Sequence, residues 1–497
     1  MKKLFNYLTA MGLASCCGLA HAESPLLRSI DIQSRAAVNT QDVYQRLSPY
    51  LNKEVNHELL QNVLDEITKY YKEQGYPTSK AYLPVQTSDD GVLRVEVLTT
   101  NIREVKIKDS DMLTSGARER LFARVREMKG DAINVKQLEN SLLRLTDLGS
   151  FDINGQFDMT GTEDEVDFKV FADPRQKFDF AVFADNHGTE AAGEYRLGLY
   201  GAVKNLTHNA DNLSLFAARS DEDQTDFNIS YDIPLNSYPT VVGGSICYNM
   251  YDLAKEYELL GAEGTALSFD LYLKHTILRS RQDRLVYSLG GYYKKLEDSF
   301  DVFGIDFEKH ETALYTGLSY SYDDQKYYFT GMGKGTFGKL TNDDDYDIFD
   351  DGNYLIYNQD LTAGYYFTPG WMALATLNVQ ASNTNLNGSE QFNVSGAEAI
   401  AAYDHSILST DSGAIAQLGV QYQYKGEANF RIRPHFDYGY GKSHGYDSEN
   451  LAGVGVDSLV QYKGMFARLQ LNHALKDVDY VDNDDFKVFL SVGYQNV

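Results

Sequence analysis

From about Lys177 onward, apolar and polar residues alternate with a period of two, and no stretch there is apolar for long enough to span a membrane as a helix. Leu267, Phe269, Leu271 and Leu273 alternate with Ser268, Asp270, Tyr272 and Lys274. Met465, Ala467, Leu469 and Leu471 alternate with Phe466, Arg468, Gln470 and Asn472. Successive side chains of a strand point to opposite faces, so the pattern predicts strands with one apolar and one polar, often charged, face. A soluble sandwich turns the apolar face inward, whereas a membrane barrel turns it out to lipid and satisfies its backbone by closure. Alternation alone leaves both open. At roughly 20 residues per strand and connection, a segment of about 320 residues holds about 16 strands.

The start of the chain bears on that choice. Met1 to Ala22 reads as an export signal: Lys2 and Lys3, an apolar run to about Leu19, and the small-x-small site Ala20-His21-Ala22. Leu13-Ala14-Ser15-Cys16 is a competing lipoprotein cleavage box, so ordinary and lipoprotein cleavage both stand. Cys16 and Cys17 leave with an ordinary signal, and Cys247 alone allows neither an internal disulfide nor a cysteine metal site. Aromatic residues make up 13% of the chain, with 37 Tyr and one Trp, and together with export they favour an outer-membrane barrel over a secreted β-rich protein. The net charge of −26 argues against nucleic-acid binding, which draws its affinity from Lys and Arg. Acidic runs such as Asn342-Asp343-Asp344-Asp345 and Asp482-Asn483-Asp484-Asp485 read as solvated loop tips; a calcium loop needs a spacing and a closing Glu that neither has. There is no Gly-x-Ser-x-Gly elbow, no His-Glu-x-x-His pair and no close histidine pair, so no enzyme, metal site or cofactor is expected.

Residues 26–174 read differently, as β-α-α-β-β written twice at a spacing of about 72 residues. The first copy has a strand at Leu27–Ile32, a short helix at Thr40–Leu47, and an amphipathic helix capped by Asn56. That helix carries Leu59, Leu60, Val63, Leu64, Ile67 and Tyr70 on one stripe and ends at Gly75. Strands at Lys80–Val85 and Val92–Val97 follow, joined by a turn containing Asp89-Asp90-Gly91. The second copy has a strand at Ile102–Ile107 and helices from about Ser115 to Val125 and from Asn134, the latter with Val135, Leu138, Leu142 and Leu145 inward. Strands near Phe151–Met159 and Val166–Phe171 complete it.

That order resembles the POTRA domain, a periplasmic module of outer-membrane transporters, down to Gly75-Tyr76, Leu83-Pro84-Val85-Gln86 and Asp90-Gly91-Val92-Leu93. Further on, Asp185-Asn186-His187-Gly188 with Gly193-Glu194-Tyr195-Arg196, Tyr231-Asp232-Ile233-Pro234-Leu235 and His275–Arg281 resemble motifs of the two-partner secretion transporters, the hemolysin-activator (TpsB; ShlB/FhaC/HecB) family. The most telling stretch is 389–413, which resembles that family's sixth loop: Phe392, then Ser395-Gly396 for a Gly pair, then Ile400-Ala401-Ala402-Tyr403 for Val-Arg-Gly-Tyr, then Asp411-Ser412-Gly413. His435-Phe436-Asp437 resembles the barrel-wall motif that the loop arginine meets. The frame is kept and the arginine is not: Ala401 stands in its place.

The resemblance implies an all-β transmembrane barrel of about 16 antiparallel strands (175–497) after two small α+β POTRA domains (23–99 and 100–174) and a signal peptide (1–22). It implies an outer-membrane pore with periplasmic POTRA domains whose sheet edges capture an unfolded, exported partner protein, a β-helical hemolysin, adhesin or toxin. An outer-membrane assembly factor is the alternative, and a passive porin or adhesin a further one. It also implies that Asp437, Phe436, Phe392, Gly396, Ile400, Ala401, Ala402, Tyr403, Asp411 and Gly413 form the loop–wall site. Without the arginine, a carboxylate confined in the lumen either recruits another cation, with His405, Arg431 and Arg433 near in sequence, or stays merely hydrated. Other expectations are that no plug helix precedes the first POTRA strand, that the chain acts as a monomer, and that the Gln495-Asn496-Val497 end, where assembly signals finish in Phe, is read differently on insertion.

Overall fold

The computed structural model describes residues 26–86, 90–109, 111–162, 164–189, 191–237, 240–252, 262–300, 302–343, 352–405, 407–478 and 485–496. The export signal with Cys16 and Cys17, Asp89, and most of the two acidic runs lie outside these residues. The chain divides into two compact units. One comprises the chain to Asn101 with Asp131–Val135 and Thr162–Glu165; the other comprises Ile102–Gly130, Lys136–Gly161 and Val166–Val497.

In the first unit, β1 (Ser29–Ser34), β2 (Lys80–Tyr82) and β3 (Val92–Leu98) form a sheet in the order β1-β3-β2, with helices α1 (Thr40–Leu47) and α2 (His57–Glu73). The Asn56 side chain accepts from Leu59 N at 2.7 Å and starts α2, and Gly75, at φ +100°, stops it. The stripe of α2 packs Leu59, Val63, Ile67 and Tyr70 with Leu93, Val95 and Val97. One strand is shorter than its sequence suggests: β2 ends at Tyr82, not Val85. Pro84 has no N–H to give a ladder, and the Gln86 side-chain amide stands in for one, accepting from Arg94 N at 2.8 Å and donating to Arg94 O at 2.7 Å.

The second unit begins with another such sheet, β4 (Asn101–Lys108), β5 (Phe151–Met159) and β6 (Glu165–Pro174) in the order β4-β6-β5, with α3 (Ser115–Glu127) and α4 (Val135–Thr146). Leu138 and Leu145 of α4 are buried, but Val135, expected inward, is exposed because it occupies the first turn.

Sixteen strands then close into an antiparallel barrel. They are β7 (Phe178–Asp185), β8 (Arg196–Lys204), β9 (Asn212–Ser220), β10 (Thr225–Pro234), β11 (Thr240–Asp252), β12 (Ala262–Arg279), β13 (Asp283–Phe300) and β14 (Ile305–Asp323). After β15 (Tyr327–Asn342), β16 (Gly352–Thr368) and β17 (Trp371–Ser382), a two-rung ladder intervenes, β18 (Phe392–Asn393) with β19 (Ser409–Thr410). The barrel resumes with β20 (Ser412–Tyr424), β21 (Ala428–Lys442), β22 (Glu449–Tyr462), β23 (Met465–Ala474) and β24 (Phe486–Gln495). Met465, Leu469 and Leu471 of β23 are exposed on the outside, while Gln470 and Asn472, which alternate with the leucines, are buried toward the lumen. That is the membrane arrangement, not the sandwich one.

The seam, β24 against β7, has five paired positions, from Ser491↔Asp185 to Gln495↔Ala181, where β7 and β8 pair at eight. Asparagine side chains extend it at both ends. Asn186 Nδ2 donates to Val488 O at 2.9 Å and its Oδ1 accepts from Leu490 N at 2.7 Å. Asn496 Oδ1 accepts from Phe180 N at 2.6 Å and its Nδ2 donates to Phe178 O at 3.0 Å.

The second small domain is fastened to the barrel within this unit at the His275–Arg281 segment. A bulge in β12 between Thr276 and Leu278 frees two carbonyls, and Arg144 of α4 donates to both, at 2.9 Å to Thr276 O and 3.1 Å to Ile277 O. Arg279 returns a bidentate pair to Asp147 at 2.8 and 3.1 Å.

In β6, Asp167 is a buried carboxylate that accepts from Arg103 at 2.8 Å twice and from Lys106 at 3.0 Å. The Arg103 guanidinium, and after it the Lys106 ammonium, hold its carboxyl down at about 2. A carboxyl depressed by folding contributes stability that is complete above about pH 4 and is lost as pH falls toward its folded value. The full chain should therefore become cleavable by pepsin within residues 101–174 as pH falls from about 4 to about 2. Asp167→Asn should be cleaved there with little change across that window.

Candidate functional site

Residues 383–411 leave the wall after β17 and return to it at β20. The β18–β19 ladder gathers the two arms, and the tip between them folds on itself. Gly396, at φ +108°, lies where a Cβ would come within 3.1 Å of the His405 backbone. Ile400 N donates to Val394 O at 3.2 Å, and Tyr403 N to Ile400 O at 3.2 Å.

This tip is seated against the wall by packing. Val394, Ile400, Ala402, Tyr403 and Leu408 are buried together with Ile415 of β20 and Leu451 of β22. Two wall glycines make room for it. A Cβ on Gly439 of β21 would lie 2.4 Å from Ile400 Cδ1, and one on Gly453 of β22 would lie 2.7 Å from Ala402 Cβ. Phe392 comes as close to Gly413, at 2.7 Å from a Cβ placed there. The Tyr403 hydroxyl lies 2.9 Å from Ala452 O and 2.8 Å from Lys476 O, its one proton serving one carbonyl at a time, and it accepts from Ala452 N at 3.3 Å. Asp411 is buried at the loop base and accepts from Leu386 N and His444 N, each at 2.9 Å.

The charged part of the site departs from the sequence expectation. Asp437 is buried on the lumenal face of β21, but its partner is His435, Nδ1 to Oδ1 at 2.9 Å, and not His405, Arg431 or Arg433. Two residues apart on one strand, His435 and Asp437 share a face. Phe436, between them, must face the other way and is 42% exposed on the outer surface. His405 stays within the loop, its Nε2 2.9 Å from Asn393 Nδ2. Arg431 and Arg433 do face inward, yet they approach Asp457 of β22 at 3.4 and 3.7 Å.

Arg468 of β23 completes that cluster, its Nε and Nη2 donating to Asp457 Oδ2 at 3.0 and 2.8 Å, while its Nη1 donates to Glu398 of the loop tip at 3.3 Å. Ala401, at the family's arginine position, is 2% exposed and packs with Ala397 and Phe489 of β24. Sequence reasoning missed Glu398, Asp457 and Arg468. Arg468 stood in plain view on the polar face of an alternating strand, but its partner is 70 residues away. Among the described residues, no group of three or more His, Cys, Asp or Glu side chains is placed to hold a metal ion.

Removing the Tyr403 hydroxyl takes away the loop's hydrogen bonds to Ala452 and Lys476, each worth about 0.5–1.5 kcal/mol. Tyr403→Phe should keep the barrel folded, as heat-modifiable mobility on a gel reports, and should raise the rate at which added protease cuts between residues 390 and 410. Gly453→Val should do the same more strongly, by displacing Ala402.

Comparison with known proteins agrees with this architecture. Residues 164–459 match the family described as "Haemolysin secretion/activation protein ShlB/FhaC/HecB", and residues 26–100 match "POTRA domain, ShlB-type". The heme/hemopexin transporter protein HuxB of Haemophilus influenzae is 22% identical over 448 residues, 88% of this chain and 79% of its own. The solved structure of CdiB from Escherichia coli superposes with a TM-score of 0.81 at 18% identity, covering 97% of this chain and 92% of that one. CdiB from Acinetobacter baumannii gives 0.75 at 16%, covering 98% and 94%. The chain belongs to the ShlB/FhaC/HecB haemolysin secretion/activation family, as an outer-membrane translocator whose POTRA domains lie in the periplasm.

Proposed function

We propose that the chain secretes an unfolded, exported partner protein through its barrel to the cell surface. The observation that carries this reading is a sixth loop seated inside a closed barrel of sixteen strands, on a unit whose POTRA sheet is fastened to a barrel turn by Arg144 and Asp147. The POTRA sheet in that unit has β4 and β5 at its edges, and β5 exposes Phe157 and Met159. An extended client adds to such an edge by backbone hydrogen bonds, which tolerate many sequences. Folding of the client outside drives export, because each emerged segment that folds is trapped there. The loop is seated with Ala401 in the arginine position, held through Val394, Ile400 and Tyr403.

The test compares culture-supernatant, surface and periplasmic proteins with the gene deleted and restored. Loss of one large protein from outside, with its retention in the periplasm, is the expected result and names the client. A joint decline of many outer-membrane proteins would replace secretion by assembly. No change in any fraction would remove the transport reading altogether.

A further inference from the structure

Between Ser389 and Gly413 the charged side chains are Glu390, Glu398, Asp404 and Asp411, and the stretch contains neither Lys nor Arg. Asp411 is engaged by backbone N–H groups at the loop base. Each of the other three reaches a cation of the barrel wall. Glu390 lies 2.6 Å from Lys294 Nζ, Glu398 3.3 Å from Arg468 Nη1, and Asp404 2.8 Å from Lys487 Nζ. Lys294 belongs to β13, Arg468 to β23 and Lys487 to β24. In the closed order of sixteen strands, β13 and β23 are eight apart, on opposite sides of the lumen.

We propose that the sixth loop is a strap drawn across the pore, tied to opposite walls by loop carboxylates on wall cations, and that it opens from the β23–β24 side while pivoting at Lys294. This places the fastening charge on the wall, the opposite of a loop that carries its own arginine.

The two ends are unequal. At the β13 end, Glu390 and Lys294 are each 16% exposed, and the pair sits in a shared network. The Tyr292 hydroxyl donates to Glu390 at 2.9 Å, Lys294 also lies 3.3 Å from the buried Glu311, and Gln380 Nε2 donates to Glu390 O at 2.8 Å. A pair shielded this way is little weakened by salt. At the other end, the carboxylates Glu398 and Asp404 are 75% and 42% exposed, and Glu398 is shared between Arg468 and His187, 3.6 Å away, so those ties are the weaker and the more screened. Arg468 itself is not free to follow the loop, because Asp457, fully buried, holds it to the wall by two further hydrogen bonds. The strap therefore comes away from Arg468 and leaves Arg468 in place. Between the ends, the apolar seat of Val394, Ile400 and Leu408 sets how often it does so.

The test uses the full chain in liposomes, without any client, so that its failure is separate from a failure of the secretion reading. In a Cys247→Ser background, Ala399→Cys reports the far end and Gln391→Cys reports the pivot by their rates of maleimide labelling. Heat-modifiable mobility verifies that every barrel is folded. Reversing both far ties, Glu398→Lys with Asp404→Lys, is expected to raise labelling at 399 about tenfold, as two exposed attractions turned repulsive should, and to leave 391 unchanged. Raising KCl from about 0.1 M to about 1 M, which shortens the screening length from about 10 Å to about 3 Å, should raise labelling at 399 in the protein with both ties intact. Asp404→Lys alone should raise labelling at 399, and the exchange Asp404→Lys with Lys487→Glu should return it toward the original rate. Unchanged labelling at 399, or no rescue by the exchange, in a folded barrel would overturn the ties. Equal gains at 399 and 391 would overturn the pivot.

Discussion

Every backbone N–H and C=O in the hydrocarbon layer must be paired within the protein, and in a barrel the last strand must therefore meet the first. In this chain that closure is the thinnest part of the wall. Fifteen strand junctions follow from hairpins and neighbouring strands, but β24 finds β7 across some 300 residues and pairs with it at five positions. The ladder is lengthened by side chains that imitate peptides. A carboxamide presents one donor and one acceptor at about the spacing of a backbone unit, and Asn186 and Asn496 each use both on the opposite strand. The lumen is kept only as long as those last rungs hold, and everything inside it depends on that.

What the closed wall supports is a loop whose place is set by shape before charge. Gly439 and Gly453 stand opposite Ile400 and Ala402 where any Cβ would collide, so the wall has a recess cut to the loop tip. Filling it buries Val394, Ile400, Tyr403 and Leu408 away from the water of the pore. Tyr403 then pins the backbone between β22 and the turn after β23 by bonding to Ala452 and Lys476. An arginine at position 401 would have to find room between Ala397 and Phe489, which are in contact with Ala401 now. The small side chain is therefore part of a repacked tip and not a simple deletion of charge.

How much of this was legible in the sequence depends on how local the cause is. The α2 stripe, its Asn56 cap and Gly75 were readable because a helix carries its own period and its own ends. Strand faces were readable for the same reason. Phe436 shows a rule that was available and not applied: neighbours on a strand cannot both face the lumen, so Asp437 inside requires Phe436 outside. Other features had no local signal. The shortening of β2 depends on a side chain, Gln86, replacing a ladder rung beyond Pro84. The partner of Glu398 depends on the register of strands far along the chain.

Charge placement shows why a motif can keep its frame while its chemistry moves. The Asp457 carboxylate is fully buried and must be compensated wherever it lies, because an unpaired charge there is costly. Arg431, Arg433 and Arg468 gather on it, more cation than one carboxylate needs. The surplus on the wall is what makes an acid, not a base, the suitable residue on the facing loop, and Glu398 fills that position. Asp437, meanwhile, is hydrogen-bonded by His435 on its own strand. A cation at the loop tip would lie beside the Arg468 guanidinium and the arginines gathered with it on Asp457. An alanine at position 401 and an acid at position 398 both suit a wall that presents Arg431, Arg433 and Arg468.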